Sequence, residues 1–332
     1  RAARLQRTPD RRALAALESI YRDQNDVERL SETLLRQANL PGADDDERIG
    51  ALAEAAELLS KNKRLDDAIA TWDQVLEIAP QHRPAFDALE QLYGEQERWH
   101  DVIELLERRL GYTTQVAEAV ALRVHMAEVC EHKIHDLAAA VDNYGAALTN
   151  DPNSVPAAAA LRRLLDNPDA RMDAAEALEP IYVSLHRWAD LVPVYKARLD
   201  AAHEPEQRVR ALSLLARLQE EQLEDFDQAS LWYGRLFLES PDDEGVRDQL
   251  HRLASVTGNW QHVVAAYEEY LRDTRDETEL VRDIAVALGV VYDRRNNDVV
   301  KALPSYRRAL LIEPAPEVQP SSAQLVDRLE EI

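Results

Sequence analysis

The feature that most constrains the fold of this chain is a spaced motif that recurs four times. A small residue is followed four positions later by an aromatic residue, seven positions later by a small or aliphatic residue, and twelve positions later by proline. Steps of three and four residues place the first three side chains on one stripe of an α-helix, and the proline ends that helix one turn later. An amphipathic segment lies about sixteen residues before each copy, which predicts a helical hairpin that we call the proline-type hairpin. The copies are Ala68, Trp72, Val75, Pro80; Ala140, Tyr144, Ala147, Pro152; Ala229, Tyr233, Leu236, Pro241; and Ala302, Tyr306, Ala309, Pro314.

A second kind of hairpin alternates with the first, and its second helix begins at a tryptophan. Apolar residues follow that tryptophan at offsets of three, seven and eleven, and no proline ends the helix. We call this unit the tryptophan-type hairpin, and its copies begin at Trp99, Trp188 and Trp260. Because Pro80 and Pro152 lie 72 residues apart, the full period is two hairpins.

One interval breaks this period. Pro80 and Trp99 are 19 residues apart, whereas Pro152 and Trp188 are 36 apart, so 17 residues are inserted. Asn167 precedes a proline, which disfavours a continuous helix there. We therefore expect a repeat array over 1–332 with an irregular extra helix at about 154–169.

The two ends of the chain also carry helical signals. Residues 10–38 resemble a tryptophan-type hairpin that lacks its tryptophan. At the other end, Ser321 and Gln324 form a capping-box signal for a last helix over 321–332, which is a cap or a truncated repeat. Its stripe of Leu325, Leu329 and Ile332 is expected to be exposed or covered by another molecule, as in a chain that continues with further hairpins.

The four spaced copies resemble the second helix of the tetratricopeptide repeat family. This resemblance implies an all-α fold, an α-solenoid that is a superhelix of about eighteen antiparallel helices arranged in hairpins. It also implies that the chain binds a protein or peptide on its concave surface. The glycine that is typical of the family's first helix is mostly alanine or a charged residue here.

Composition disfavours several other classes of protein. A net charge of −23 repels the nucleic-acid backbone, and no basic face compensates for it. No run of apolar residues approaches the roughly 18 needed to span a membrane. Cys130 is the only cysteine, which excludes an internal disulfide and favours a reducing compartment such as the cytoplasm.

The sequence contains no signature of an enzyme. It lacks the GxG, HExxH, CxxC and GxSxG patterns that cradle phosphates, bind metals or present nucleophiles. We therefore predict no catalytic residue and no cofactor. The recurrence of tryptophan and tyrosine at fixed offsets predicts that these rings are core residues and not a ligand platform.

Two clusters of potential ligands have plainer interpretations. His125, Cys130, His132 and His135 could be taken for a metal site, but they are more typical of a turn between helices with a buried thiol. The acidic runs at 44–46 and 242–244 precede predicted helices, where carboxylates act as caps.

Partner binding is the function that remains. In a solenoid of hairpins the first helices line the inner wall. Ordinary solvated helix surface is the alternative interpretation of the candidate residues there. An acidic wall favours a basic or amphipathic partner, and a family-type basic clamp is not supported, since the chain contains 5 lysines. We thus expect a protein-binding scaffold or adaptor, or alternatively the regulatory or substrate-recruiting arm of a larger enzyme. The candidate partner-binding residues are Glu57, Asp87, Gln91, Asp173 and Glu176.

Overall fold

The computed structural model describes residues 11–312 and 321–331, and in these ranges the chain is all-α. It forms eighteen α-helices and no strand, as the sequence predicts. The helices of the first half are α1 (Arg11–Asp23), α2 (Val27–Ala38), α3 (Asp45–Lys61), α4 (Leu65–Ile78), α5 (Arg83–Glu95), α6 (Trp99–Tyr112), α7 (Val116–Val129), α8 (Leu137–Asn150) and α9 (Val155–Leu164). Those of the second half are α10 (Arg171–Ser184), α11 (Trp188–Ala201), α12 (Pro205–Arg217), α13 (Phe226–Glu239), α14 (Glu244–Thr257), α15 (Gln261–Asp273), α16 (Glu279–Val290), α17 (Val299–Leu310) and α18 (Ser322–Glu331).

The helices form two compact units, one ending at residue 159 and the other starting at residue 160. Within unit 1, consecutive helices from α1 to α8 pack on one another, and within unit 2 the same holds from α10 to α18. Packing between near neighbours in the chain is the rule of a repeat architecture. The boundary between the units falls inside α9, in the interval where the sequence predicts an insertion. A single array over 1–332 stays a prediction.

The recurring motif forms the core of the proline-type hairpins. The small residues Ala68, Ala140, Ala229 and Ala302 are completely buried, and the aromatic residue four positions later is buried in every copy. A small side chain lets the neighbouring helix approach closely, and the ring four positions later fills the space beside it. The prediction of a packed stripe is therefore confirmed, although Pro314 lies outside the described residues.

The tryptophans of the other hairpin type are less buried than predicted. Trp99, Trp188 and Trp260 are only partly buried, and Trp99 packs against the core of unit 1 from its edge. Each stands at the start of its helix, where fewer neighbours surround it. A cation from the following hairpin covers two of them: Lys133 Nζ lies 5.0 Å from the Trp99 ring, and the Arg295 guanidinium lies 5.1 Å from the Trp260 ring.

Three short π-helical turns, which the sequence analysis did not predict, extend α7, α12 and α16. They span Cys130–Ile134, Leu218–Gln222 and Val291–Arg295. Each carries a carboxylate that accepts a hydrogen bond from the motif tyrosine thirteen residues later. Tyr144 donates to Glu131 at 3.2 Å and Tyr306 donates to Asp293 at 3.4 Å.

The third tyrosine follows the same rule. The Glu220 carboxylate lies beside the Tyr233 hydroxyl, and burial, with this carboxylate near it, raises the pKa of the hydroxyl. In the remaining copy the aromatic residue is Trp72, which has no hydroxyl. The position thirteen residues before Trp72 is Leu59, and α3 has no π-helical turn. A π-helical turn therefore accompanies the tyrosine that needs an acceptor.

The predicted caps are present. Asp44 accepts a hydrogen bond from the Glu47 amide at 2.7 Å, and Asp243 accepts one from the Gly245 amide at 2.9 Å. Ser321 and Gln324 bond reciprocally as a capping box, at 2.8 and 3.3 Å. The acidic runs thus cap the N-termini of helices.

The expectation for the last helix needs a correction. Leu325 is only 3% exposed, because α18 packs against α17. Arg328 on the same helix donates to both oxygens of Asp293, at 2.8 and 2.9 Å, and holds the pKa of that carboxyl below its usual value. Leu329 is partly buried, and Ile332 lies outside the described residues. An exposed stripe at Leu325 was therefore wrong.

The π-turn carboxylates lead to a prediction about stability. Replacing Tyr306 by Phe should lower the free energy of unfolding by about 1 kcal/mol, because it removes one hydrogen bond to a buried carboxylate. Tyr112→Phe is the control, since that side chain is exposed and its change should stay within about 0.5 kcal/mol. Urea unfolding followed by circular dichroism measures both variants. Equal stability of wild type and Tyr306→Phe would contradict the role given to the π-helical turn.

Candidate functional site

The predicted partner-binding residues all lie on the first helices of hairpins. Glu57 is on α3, and Asp87 and Gln91 are on α5, all in unit 1. Asp173 and Glu176 are on α10 in unit 2. All five side chains are exposed. They belong to two separate sets, one in each unit.

The set in unit 1 is engaged with other side chains of the chain. Asp87 forms an ion pair with Arg109 at 3.1 Å. Gln91 donates a hydrogen bond to Glu95 at 2.8 Å, and Glu57 lies 3.8 Å from Lys61. A ligand would have to compete with these contacts, which the sequence analysis did not foresee.

The two predicted residues in unit 2 are not engaged with other described side chains. Asp173 and Glu176 are three residues apart on α10, so their carboxylates share one face of the helix. Within the described ranges neither carboxylate has a hydrogen-bond or ion-pair partner. Of the predicted residues, these two are therefore best placed to meet a charged partner.

Glu176 also lines a cleft, and this cleft is one of three that recur at the same place in the repeat. Each lies between a tryptophan-type hairpin and the first helix of the next hairpin. Gln37, Arg109 and Arg198 occupy equivalent positions in the three clefts, at spacings of 72 and 89 residues that match the period and the period plus insertion. The clefts have volumes of about 320, 330 and 460 Å³ in chain order.

A polar side chain from the second helix braces each cleft. Gln37 donates to Glu18 at 2.8 Å, Arg109 bonds Glu118 at 3.3 Å, and Arg198 forms an ion pair with Glu179. These contacts tie the end of the second helix to a first helix. The walls are therefore held in place before any ligand arrives.

The ion pairs among the lining residues differ between the three clefts. In the first cleft, Arg11 forms an ion pair with Glu47. In the second, Arg83 forms one with Glu118 at 2.5 Å. In the third, the positions equivalent to Arg83 and Glu118 hold Met172 and Gln207, which cannot form an ion pair.

These lining residues could not be found from the buried stripe, which carries no information on exposed positions. Aligning the sequence with itself at offsets of 72 and 89 residues matches Met172 with Arg83 and Arg11, and Gln207 with Glu118. That comparison of exposed positions was the signal that could have found them.

His125 lies on α7 and contacts α5 rather than a metal cluster. Its Nε2 is 2.7 Å from the Glu90 carboxylate, and its Nδ1 is 3.9 Å from Glu128. The hydrogen bond to Glu90 raises the pKa of His125 and lowers the pKa of Glu90. Cys130 is buried, which raises the pKa of its thiol. Across 11–312 and 321–331, no three or more His, Cys, Asp or Glu side chains are grouped so as to hold a metal ion.

This pair generates a prediction about pH. Because the folded-state pKa of His125 is raised, its stabilising contribution is complete below the unfolded pKa of about 6.5 and is lost as pH rises through the folded pKa. A proton NMR titration should show His125 titrating above that value, and Glu90→Gln should lower its pKa. Glu95→Gln, a nearby exposed change on α5, should leave it unchanged. An unaltered His125 titration in Glu90→Gln would rule out this assignment.

The packing of the helices defines the class of this protein as an all-α helical repeat. Hairpins pack on their chain neighbours, and the same buried stripe recurs in each proline-type unit. In the parts of the chain that the structure describes, no helix combines the length and hydrophobicity needed to cross a bilayer.

Comparison with known families confirms the resemblance to the tetratricopeptide repeat. The family model of the tetratricopeptide repeat matches residues 13–48. This stretch comprises α1, α2 and the start of α3, which is the hairpin that the sequence analysis interpreted as lacking its tryptophan. The four motif copies lie outside this match.

Several solved structures are similar to this chain over most of its length. A tetratricopeptide repeat protein from Parabacteroides merdae is 12% identical, covers 73% of this chain and 98% of its own, and has a TM-score of 0.33. The TPR2AB domain of yeast Sti1, in complex with pHSP90, is 14% identical, with 80% and 99% covered and a TM-score of 0.30. PilF of Pseudomonas aeruginosa is 15% identical, with 74% and 96% covered and a TM-score of 0.27. No curated protein matches the sequence.

Proposed function

We propose that this chain is a non-catalytic scaffold or adaptor segment that binds a basic or amphipathic partner protein through its first-helix surface. Tetratricopeptide repeats generally mediate interactions between proteins, and the fold provides many equivalent helix faces for that purpose. The acidic surface, the character of the partner and a cytoplasmic location all belong to the proposal. The location rests on the single cysteine, Cys130, which is buried and forms no disulfide.

The observation that carries the proposal is the pair of free carboxylates on α10. Asp173 and Glu176 are exposed on one helix face and have no partner among the described residues. The other two acids predicted for this surface are already paired with a cation of the chain, Glu57 with Lys61 and Asp87 with Arg109. A basic group of a partner can therefore pair with α10 without displacing an existing ion pair.

The overall charge strengthens this choice of partner. A net charge of −23 attracts a basic segment from a distance and accelerates its association at low ionic strength. Close contacts then decide the position of the partner. We place Asp173 and Glu176 at the centre of that contact, with Glu57, Asp87 and Gln91 as a secondary surface in unit 1.

The test is the double charge reversal Asp173→Arg with Glu176→Arg. A labelled helical peptide of leucine and lysine should bind the wild type, and the reversal should weaken binding by about tenfold, which corresponds to about 1.4 kcal/mol. Asp200→Arg with Glu269→Arg is the matched control, because it makes the same charge change at exposed positions on the second helices α11 and α15. Fluorescence anisotropy at several salt concentrations measures each affinity.

Three results would count against the proposal. The first is equal loss of affinity in the control, which would indicate a long-range charge effect. The second is an affinity that does not fall as salt rises. The third is a preference for a leucine and glutamate peptide of the same pattern.

A further inference from the structure

The cleft at α10, α11 and α12, which is the third in chain order, differs from its two equivalents in the ion pairs among its lining residues. Arg11 pairs with Glu47 in the first cleft, and Arg83 pairs with Glu118 in the second. In the third cleft Met172 stands at the position of Arg83 and Gln207 at the position of Glu118, so this pair cannot form. This third cleft is also the largest of the three, at about 460 Å³.

The floor of the third cleft is apolar. Ala202 and Ala211 are buried at its base, Leu214 is partly buried, and Met172 is 40% exposed at its edge. An exposed methionine beside small apolar residues can adapt to an inserted apolar side chain. The volume falls within the range of about 300–1,000 Å³ that is typical of ligand clefts.

The two walls of the cleft carry opposite charges. Glu176 lines it from α10, and Arg210 lines it from α12. Both side chains are exposed, and neither has an ion-pair partner in the described part of the chain. Arg198 also lines the cleft, but its guanidinium is paired with Glu179. The unpaired charges that a ligand would meet are thus the negative charge of Glu176 on α10 and the positive charge of Arg210 on α12.

We infer that this cleft takes one apolar side chain of an amphipathic partner helix, with a basic residue of that helix on Glu176 and an acidic residue on Arg210. The inference rests on the proposed function and specifies its partner. An apolar anchor gains free energy by leaving water, while the two charged contacts fix the direction of the helix. The clefts of unit 1 are less suited to such an anchor, because two of their lining side chains are engaged in an ion pair.

The experiment restores the missing ion pair. Met172→Arg with Gln207→Glu recreates the pair between Arg83 and Glu118 at the equivalent positions and leaves the net charge unchanged. A displayed library of short helical peptides is selected on the whole wild-type chain, and the enriched peptides are measured on each variant. Val183→Arg with Gln228→Glu is the matched control, since it makes the same charge changes at exposed positions of α10 and α13.

The expected result is enrichment of peptides with one large apolar residue flanked by a basic and an acidic residue. Their affinity should fall about tenfold in Met172→Arg with Gln207→Glu and stay within about twofold in the control. The converse variant, Arg83→Met with Glu118→Gln, should gain binding at the second cleft. Circular dichroism melts verify that each variant is folded.

The inference would be overturned if no peptide were enriched, or if the restored ion pair left the affinity unchanged. The proposed function is tested separately by Asp173→Arg with Glu176→Arg. If that reversal weakens binding and the restored ion pair does not, the acidic surface stands and the anchor site falls. If only the restored ion pair weakens binding, the apolar anchor stands, and both the acidic surface and the basic contact on Glu176 fall. If neither change alters the affinity, both fall.

Discussion

Burial of each hairpin against the next is the interaction on which the rest of this structure depends. A two-helix hairpin has no second layer to cover its apolar stripe, so it is stable only with a neighbour. The fully buried alanines of the motif, such as Ala68 and Ala140, allow that neighbour to approach closely. Side chains that do not take part in this contact between hairpins are consequently available for other interactions, such as binding a partner.

A tyrosine at the aromatic position of the motif imposes a second constraint on the structure, because its hydroxyl is buried. A buried hydroxyl without a partner is destabilising by about 1–3 kcal/mol, so it needs an acceptor. The π-helical turns supply one by placing Glu131, Glu220 or Asp293 beside the tyrosine. In unit 2 these carboxylates also bind an arginine of the following first helix, Arg252 for Glu220 and Arg328 for Asp293. The acceptor therefore helps to join one hairpin to the next.

Much of the fold could be predicted from the sequence because its signals are periodic. Offsets of three, four and seven residues specify helices, proline ends them, and acids such as Asp44 and Asp243 mark their starts. The partial exposure of Trp99 and the π-helical turns could not be predicted this way. Both depend on which atoms of a neighbouring hairpin reach the ring or hydroxyl, and spacing alone does not report that.

The candidate site was predictable only in part, for a similar reason. Exposure of Asp87 and Glu176 follows from their place on the helix, but their pairing does not. Arg109 comes from another helix and neutralises Asp87, while no such cation reaches Glu176. Burial of Leu325 depended likewise on the packing of α18 against α17. Contacts between helices, and not positions within them, separate free surface from engaged surface.

The chain contains two methionines, and they allow the position of the partner to be tested directly. Met126 is 1% exposed in the core of unit 1, whereas Met172 is 40% exposed at the third cleft. With ¹³C-labelled methionine methyl groups, titration with an amphipathic helical peptide selected on the chain should shift the Met172 signal until it saturates and leave the Met126 signal unchanged. An unmoved Met172 signal, or equal shifts of both signals, would contradict the assignment of the partner to this cleft.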